Sequence, residues 1–504
     1  MKTSQSIWQD RARAATAADP LTANTHADVA IVGAGIAGLS TALSLLREGR
    51  EVLLLEKDAV GAGQTALSSA HLSSAFDDRY YKVADWHGED AAAAVAASHA
   101  KAIELVEHRV NSHGIECQFQ RLDGCLVAAP STPVDSLRRE YAAALRAGLD
   151  VEYLPTCYDG LEQFGTAVRF ARQARLDPLA YLRGLAAAAR GLGAKTVRAE
   201  VVEVEGGEQP VALTTRGDRI QANAIVVATD TPFHERFALH TKQAAYRTYV
   251  IAAKLHADQF PDVLLWDTAD PYHYVRRVDG TESGDVLVLI GGADHKVGQT
   301  PREDPFEDLV AWASGRFGWL GPVEYAWSGQ ILEPVDALGF AGSDPGGMEN
   351  VYVVSGDSGN GLTHGTLAGE VLAALICGRQ APWENVYDPH RRTPQTVGTW
   401  IQENANVAVQ YRDWLRPAGD APPDRGEGAI VRHGAELVAL YRADDDRLHA
   451  FSSRCPHLGC SVRWNSAERS WDCPCHGSRF DPCSGRVLNG PAANGLEAVD
   501  IDPA

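Results

Sequence analysis

Apolar and polar positions change period twice within the first sixty residues. Asp28 to Val32 is a short β-branched and apolar run that predicts a buried strand, and after it Leu39, Ala42, Leu43 and Leu46 recur at helical spacing. A second apolar run, Glu51 to Leu55, ends in Glu56. Far downstream the same order of strand, turn and helix returns: Val351 to Val354, a glycine-rich stretch from Ser355 to Gly365, then a helix to about Ile376. Ile225 to Thr229 predicts one more strand of that sheet, while Tyr246 to Ala253 and Val286 to Ile290 are β-like runs set between turns. A helical pattern through Val397, Ile401, Asn404 and Val407 predicts a connector, and the Pro- and Gly-rich stretch from Arg416 marks a border.

Composition narrows the classes without naming one. The 504 residues and 45% apolar content suit several domains with real cores. A formal charge of −20 argues against nucleic acid or an anionic membrane surface as partner. No apolar run reaches the length of a membrane span, and the opening residues lack a secretory apolar segment, so the chain is expected to be soluble and cytoplasmic. Nine cysteines are too few for a disulfide scaffold; Cys117, Cys125, Cys157, Cys377 and Cys483 are scattered and expected to be buried thiols. His108 and His113 offer an H-x₄-H spacing for a mononuclear iron, but five residues turn the second about 140° from the first on a helix. They are expected to be surface residues at a helix end.

The first turn is Gly33-Ala-Gly35-Ile-Ala-Gly38, between strand and helix, with Glu56 eighteen residues beyond the last glycine. Glycine permits the tight turn, the close approach of backbone to a pyrophosphate and the packing of helix on strand, and the acid can accept from ribose hydroxyls. The second glycine-rich turn returns a helix to the same sheet, as in proteins that hold a flavin, and no second dinucleotide fingerprint appears. FAD is therefore the expected cofactor. Its candidate contacts are Gly33, Gly35, Ile36, Ala37, Gly38, Glu56, Lys57 and Thr65, with Asp357, Gly359, Gly361, Leu362 and Thr363 from the second turn.

Near the C-terminus stand Cys455-Pro-His457-Leu-Gly-Cys460 and Cys473-Pro-Cys475-His476-Gly-Ser478. Two thiolates and two imidazoles, Cys455, Cys473, His457 and His476, have the layout of a Rieske [2Fe–2S] centre, one iron on each pair. A Cys₂His₂ zinc tetrahedron is the alternative, against which the extra Cys460 and Cys475 stand.

These boxes resemble Rieske proteins of the cytochrome bc-complex type, which implies a Cys460–Cys475 disulfide and a cluster-covering loop between Asp481 and Leu496. Ser478 matches a hydroxyl that those proteins place near a cluster sulfur, whereas Phe480 stands in place of a Tyr. That departure implies a potential in the middle or lower part of the Rieske range of roughly −150 to +300 mV. Gly63 to Leu72, Phe76 to Tyr81, Gly291 to Gln299, Trp327 to Gln330 and Gly356 to Gly359 resemble bacterial FAD-dependent oxidoreductases of the D-amino-acid oxidase and glycine oxidase type with a fused Rieske domain. The resemblance implies an α/β Rossmann-type FAD-binding domain, an interleaved α+β substrate domain and a small all-β Rieske domain. The expected division is an N-terminal arm (1–27), an oxidoreductase unit (28–385), a helical connector (386–415) and the Rieske domain (416–504). Within the unit, FAD binding takes 28–114, 177–245 and 328–385, and the substrate domain takes 115–176 and 246–327.

The expected activity is oxidation of a small amine or amino acid, with electrons passing from flavin to cluster and on to an external one-electron acceptor. Two alternatives stand beside it: a reductase or monooxygenase fed through the cluster by a donor protein, and a redox sensor or relay without turnover. Tyr272, Tyr274 and Arg276 alternate onto one strand face, which would offer aromatic walls and a guanidinium for a carboxylate. Tyr274, Arg276, Trp327 and His364 are the catalytic candidates, with Gln330 beside them. His71 is expected on a helix or loop near the cofactor rather than bonded to it.

Overall fold

A computed structural model describes residues 2–3, 5–12, 26–234, 237–258, 260–278, 285–299, 304–318, 320–415, 419, 421–434 and 436–500. The apolar runs at the two glycine turns become neighbours in an eight-stranded sheet. Its main path runs Phe340–Ser343, Val351–Ser355, Arg219–Val227, His26–Val32, Val52–Glu56 and Lys195–Arg198. All but the first of these are parallel to their neighbours, and helices or loops cover both faces, which is why the strands read as continuous apolar runs.

Two helices lie on one face, Ile36–Arg47 and Gly361–Ile376. They cross closely because the second carries glycine at the contact: a Cβ on Gly365 would lie 2.8 Å from Ile36 Cγ2, and one on Gly369 would lie 2.6 Å from the Ser40 carbonyl carbon. Both helix N-termini consequently open onto one cavity.

A second sheet of ten strands covers that cavity. The long strand Gln243–His256 pairs antiparallel with Val323–Pro334 on one side and Asp285–Lys296 on the other, and Tyr274–Val278 pairs with the latter. The divisions expected at 245/246 and 327/328 both fall inside strands of this sheet, because the strands run on without a turn. His71–Leu72 is a short strand here, paired with Ala174–Arg175, so His71 is on neither a helix nor a loop. The N-terminal segment also enters the sheet, with Lys2–Thr3 parallel to Tyr325–Ala326, and it buries Ile7 and Trp8 in a helix started by a Ser6–Gln9 capping box. Residues 13–25 of the expected arm lie outside the described residues.

Helix Glu89–His113 ends at Gly114 in the left-handed region (φ 60°), and His108 and His113 are exposed. Of the scattered cysteines, Cys117, Cys125 and Cys157 are buried and Cys377 is half-buried, but Cys483 is exposed, contrary to expectation. Among the described residues no helix is long and apolar enough to cross a membrane.

After the connector helix Val397–Gln410, the C-terminal part builds a three-stranded and a four-stranded antiparallel sheet around Val462, Trp471 and Phe480. Residues 416–418 and 420 of the expected border lie outside the described residues. The small sheets are clamped to the large one by buried charge. Arg247 of the strand Gln243–His256 donates to both carboxylate oxygens of Glu468, which also takes Arg479 at 3.0 Å; Arg479 in turn pairs with Asp472 at 3.0 Å.

Candidate functional site

Between the sheets lies a cavity of about 460 Å³. At one end is the first glycine turn. Gly33 holds φ at 102°, and a Cβ there would lie 2.4 Å from the Ala228 carbonyl oxygen, so no larger residue fits. Gly33 N–H donates to Leu55 O, Ala34 N–H to a Glu56 carboxylate oxygen at 2.9 Å, and Ile36 N–H to Thr65 Oγ1 at 3.2 Å. The acid after the second strand thus braces the turn itself. Gly33, Gly35, Ile36, Ala37, Glu56, Lys57, Thr65, Asp357, Gly359, Gly361 and Leu362 all line the cavity. Gly38 and Thr363 do not. Gly38 is packed under the Gly33 carbonyl, and the Thr363 hydroxyl caps Asn360 O and meets His99 Nδ1. An open cradle of backbone at two helix N-termini, with an acid beside it, fits a dinucleotide.

At the other end the large sheet supplies Thr248, Trp266, Tyr272 and Tyr274. Tyr274 lies flat across Gly291, where any side chain would collide with its ring, and donates to or accepts from Thr248 Oγ1 at 3.0 Å. His71 packs edge-on against Tyr274, with centroids 5.5 Å apart, and burial pushes it down to about 3, so it is neutral. His364 also lines the cavity; it is wedged beneath Gly339, and burial pushes it down to about 4.

Arg276 and Trp327 are not cavity residues, which corrects the expectation for both. The Arg276 guanidinium donates to Ser69 O and Leu176 O and lies over the Trp8 ring, and Trp327 Nε1 donates to Leu67 O. Both brace the loop between the short helix at Gln64–Leu67 and His71.

Sequence reasoning left three cavity features unassigned. Asp77 appears in the sequence only inside the motif Phe76 to Tyr81, Trp266 has no periodic signal, and the third feature comes from the C-terminal domain. Arg486, Val487, Leu488, Gly490, Ala492 and Ala493, in the loop expected to cover a cluster, line this same cavity.

That loop belongs to a second centre. Each cysteine box folds back on itself in the same way: Cys455 N–H donates to Cys460 O and Gly459 N–H to Cys455 O, while Cys473 N–H donates to Ser478 O and Gly477 N–H to Cys473 O. The thiols of Cys455 and Cys473 face each other, and the rings of His457 and His476 stand 4.9 Å apart. His476 Nδ1 is buried without a hydrogen-bond partner, as a ligand nitrogen awaiting metal would be. Cys460 and Cys475 form a disulfide, with Cα atoms 6.4 Å apart, and so are withdrawn from ligation although their sulfurs lie within 4.8 Å of Cys473 Sγ. Ser478 Oγ accepts from Ala492 N–H at 3.0 Å, and Phe480 is fully buried. The rings of His457 and His476 face inward, against His240 of the oxidoreductase unit, at centroid distances of 5.0 Å and 6.1 Å.

The family model of FAD dependent oxidoreductases matches residues 28–375. The chain belongs to this family. The Rieske [2Fe-2S] domain model matches residues 415–500, so the enzyme is an FAD-dependent oxidoreductase with a Rieske cluster, and the zinc alternative falls. Over its whole length it is similar to YhfW of Bacillus subtilis (strain 168), named as a Rieske 2Fe-2S iron-sulfur protein, at 29% identity over 495 residues, covering 95% of this chain and 94% of that protein. The C-terminal part is similar to the cytochrome b6-f complex iron-sulfur subunit of Prochlorococcus marinus, at 34% identity over 149 residues, 28% of this chain and 76% of that one. In fold it is similar to glycine oxidase from Geobacillus kaustophilus, with a TM-score of 0.59 at 18% identity, covering 73% of this chain and 100% of that chain. L-proline dehydrogenase from P. horikoshii gives 0.60 at 18% identity, covering 73% and 98%.

Proposed function

We propose that the enzyme oxidises a C–N bond of a small amine or amino acid and delivers the electrons one at a time, through its own cluster, to an external one-electron acceptor. Conversion of CH–NH to C=N releases two electrons and two protons, so each turnover reduces two acceptor molecules. Bound, FAD supplies a two-electron acceptor and the cluster a one-electron carrier. Glycine oxidase and L-proline dehydrogenase, by name enzymes of amino acids, support the substrate class by likeness of fold.

The observation that carries the reading is the shared cavity wall. Gly490, Ala492 and Ala493 of the Rieske domain and the two glycine turns line one space, and the rings of His457 and His476 lie against His240 of the oxidoreductase unit. For the proton, the Tyr274 hydroxyl meets Thr248, whose hydroxyl meets Asp294; burial pushes Asp294 up to about 7, where it can take up and release a proton.

An anaerobic substrate screen on the purified protein tests this, following the flavin absorbance and the EPR signal of the reduced cluster together. A substrate should bleach the flavin and raise the cluster signal in the same sample. Bleaching with an EPR-silent cluster would show that the internal relay does not exist.

A further inference from the structure

The two ends of the cavity differ in charge. Among the described residues that line it, the cationic side chains are Lys57 and Arg486, and both stand at the dinucleotide end: Lys57 follows Glu56, and Arg486 pairs with Asp58 at 2.5 Å. At the far end, Arg276 is turned onto backbone carbonyls and His71 is neutral. Arg79, the nearest other cation, donates to Asp77 O and Asp267 O. Arg79 and Lys82 act electrostatically on Asp77 but, among the described residues, neither lines the cavity.

What a substrate would meet here is an anion between aromatic faces. The Asp77 carboxylate and the Tyr272 hydroxyl come together at Gly359, where a Cβ would lie 2.8 Å from Asp77 Oδ2 and 3.4 Å from Tyr272 Oη. The Tyr272 and Tyr274 rings are 5.7 Å apart, with Trp266 also in the wall. Asp294 adds a second carboxylate behind Thr248. A carboxylate and π faces together suit an alkylammonium cation.

We propose that this end of the cavity takes its substrate as a compact alkylammonium cation without a carboxylate, held by Asp77 and the faces of Tyr272, Tyr274 and Trp266. The proposal rests on the amine-oxidation reading above and narrows its substrate class. It also explains how a carboxyl group is kept in so dry a place. Burial, against the pull of Arg79, leaves Asp77 raised to about 7, and an arriving cation restores its charge.

The test uses the full chain loaded with FAD and cluster, and two probes of one shape and opposite charge, tetramethylammonium and pivalate. Neither can be oxidised at nitrogen, so binding is read separately from turnover, by the shift of the flavin absorption band and by calorimetry. Tetramethylammonium should bind at least tenfold more tightly than pivalate, and Asp77→Asn should weaken it tenfold or more while the flavin band remains. If Asp77→Asn does not retain FAD, Tyr272→Leu serves as the second variant, with a loss of threefold or more expected. Tighter binding of pivalate, or tetramethylammonium binding untouched by either change, overturns the proposal. In parallel anaerobic reductions, bleaching by amino acids but not by dimethylamine or trimethylamine also overturns it and leaves amine oxidation standing. Asp77-dependent binding of the cation with no bleaching by any amine supports the cation site and sinks the oxidation reading instead.

Discussion

Asp77 is a residue on which several forces compete for one proton. Burial and the neighbouring Asp78 raise its carboxyl, Arg79 and Lys82 from the same segment and the Tyr272 hydroxyl lower it, and the balance stands at about 7. Two raised carboxyls from the large sheet, Glu333 and Asp294, also interact with it. A group titrating near 7 is about one-tenth ionised at pH 6 and about nine-tenths at pH 8. Since only the ionised form attracts a cation, tetramethylammonium should bind about tenfold more tightly at pH 8 than at pH 6, levelling off above. Titrations of the loaded enzyme at pH 6, 7 and 8 check this, and an affinity that is flat or falls with pH removes Asp77 as the counter-ion. The sequence makes Tyr274 legible and leaves Asp77 opaque for one reason. Alternation along a strand tells which face a side chain takes, but not how deep along that face the cavity extends. Arg276 shares the side of Tyr274 and lies two residues on, roughly 7 Å further, already beneath the Ser69 loop. Asp77 has no periodic neighbours at all, and its place follows from a loop held by Asn360 through Asp77 N–H at 3.2 Å.

At the scale of elements, the two strand–turn–helix units are legible because each is local: one apolar run, one glycine turn, one amphipathic run. What brings them together is not. Helix Gly361–Ile376 reaches helix Ile36–Arg47 through Gly365 and Gly369, and a glycine inside a helical pattern carries no mark of the partner that needs it small. Gly369→Val would put its Cβ 2.6 Å from the Ser40 carbonyl carbon, where no side-chain rotation relieves it. Overpacking of that kind costs about 1–3 kcal/mol. The variant should melt several degrees lower and release FAD on dilution while keeping its iron, which calorimetry and the flavin-to-iron ratio measure. A variant with unchanged melting and flavin content would mean that the helices can separate freely. The large sheet was harder to read for the opposite reason, since its pairings join residues far apart: His71 with Arg175, and Lys2 with Tyr325. Loop closure over such distances leaves no trace in a local window.

For the whole molecule, the question is whether the Rieske domain serves the flavin of its own chain. A Pro- and Gly-rich border suggests a tether, and tether composition cannot tell a docked domain from a roaming one. The docking is written instead in single charged residues. Arg247, fully buried, grips both oxygens of Glu468 and touches Ser328, and Arg463 reaches Asp413 at 2.6 Å and Gly298 O at 2.8 Å. Glycine lets the surfaces meet, since a Cβ on Gly477 would lie 2.3 Å from Ala245 Cβ. A domain held in this way should be reduced from within, so after rapid anaerobic mixing with substrate the rate of cluster reduction should not depend on protein concentration. Arg247→Ala leaves Glu468 with Arg479 but strips its partner from across the interface. Breaking a buried pair costs about 3–5 kcal/mol, enough to populate undocked states. In that variant cluster reduction should slow tenfold or more, while flavin bleaching keeps its rate. A native rate that rises with protein concentration would reassign the electrons to a neighbouring chain. An unchanged rate in Arg247→Ala would show that the clamp is not what holds the two centres together.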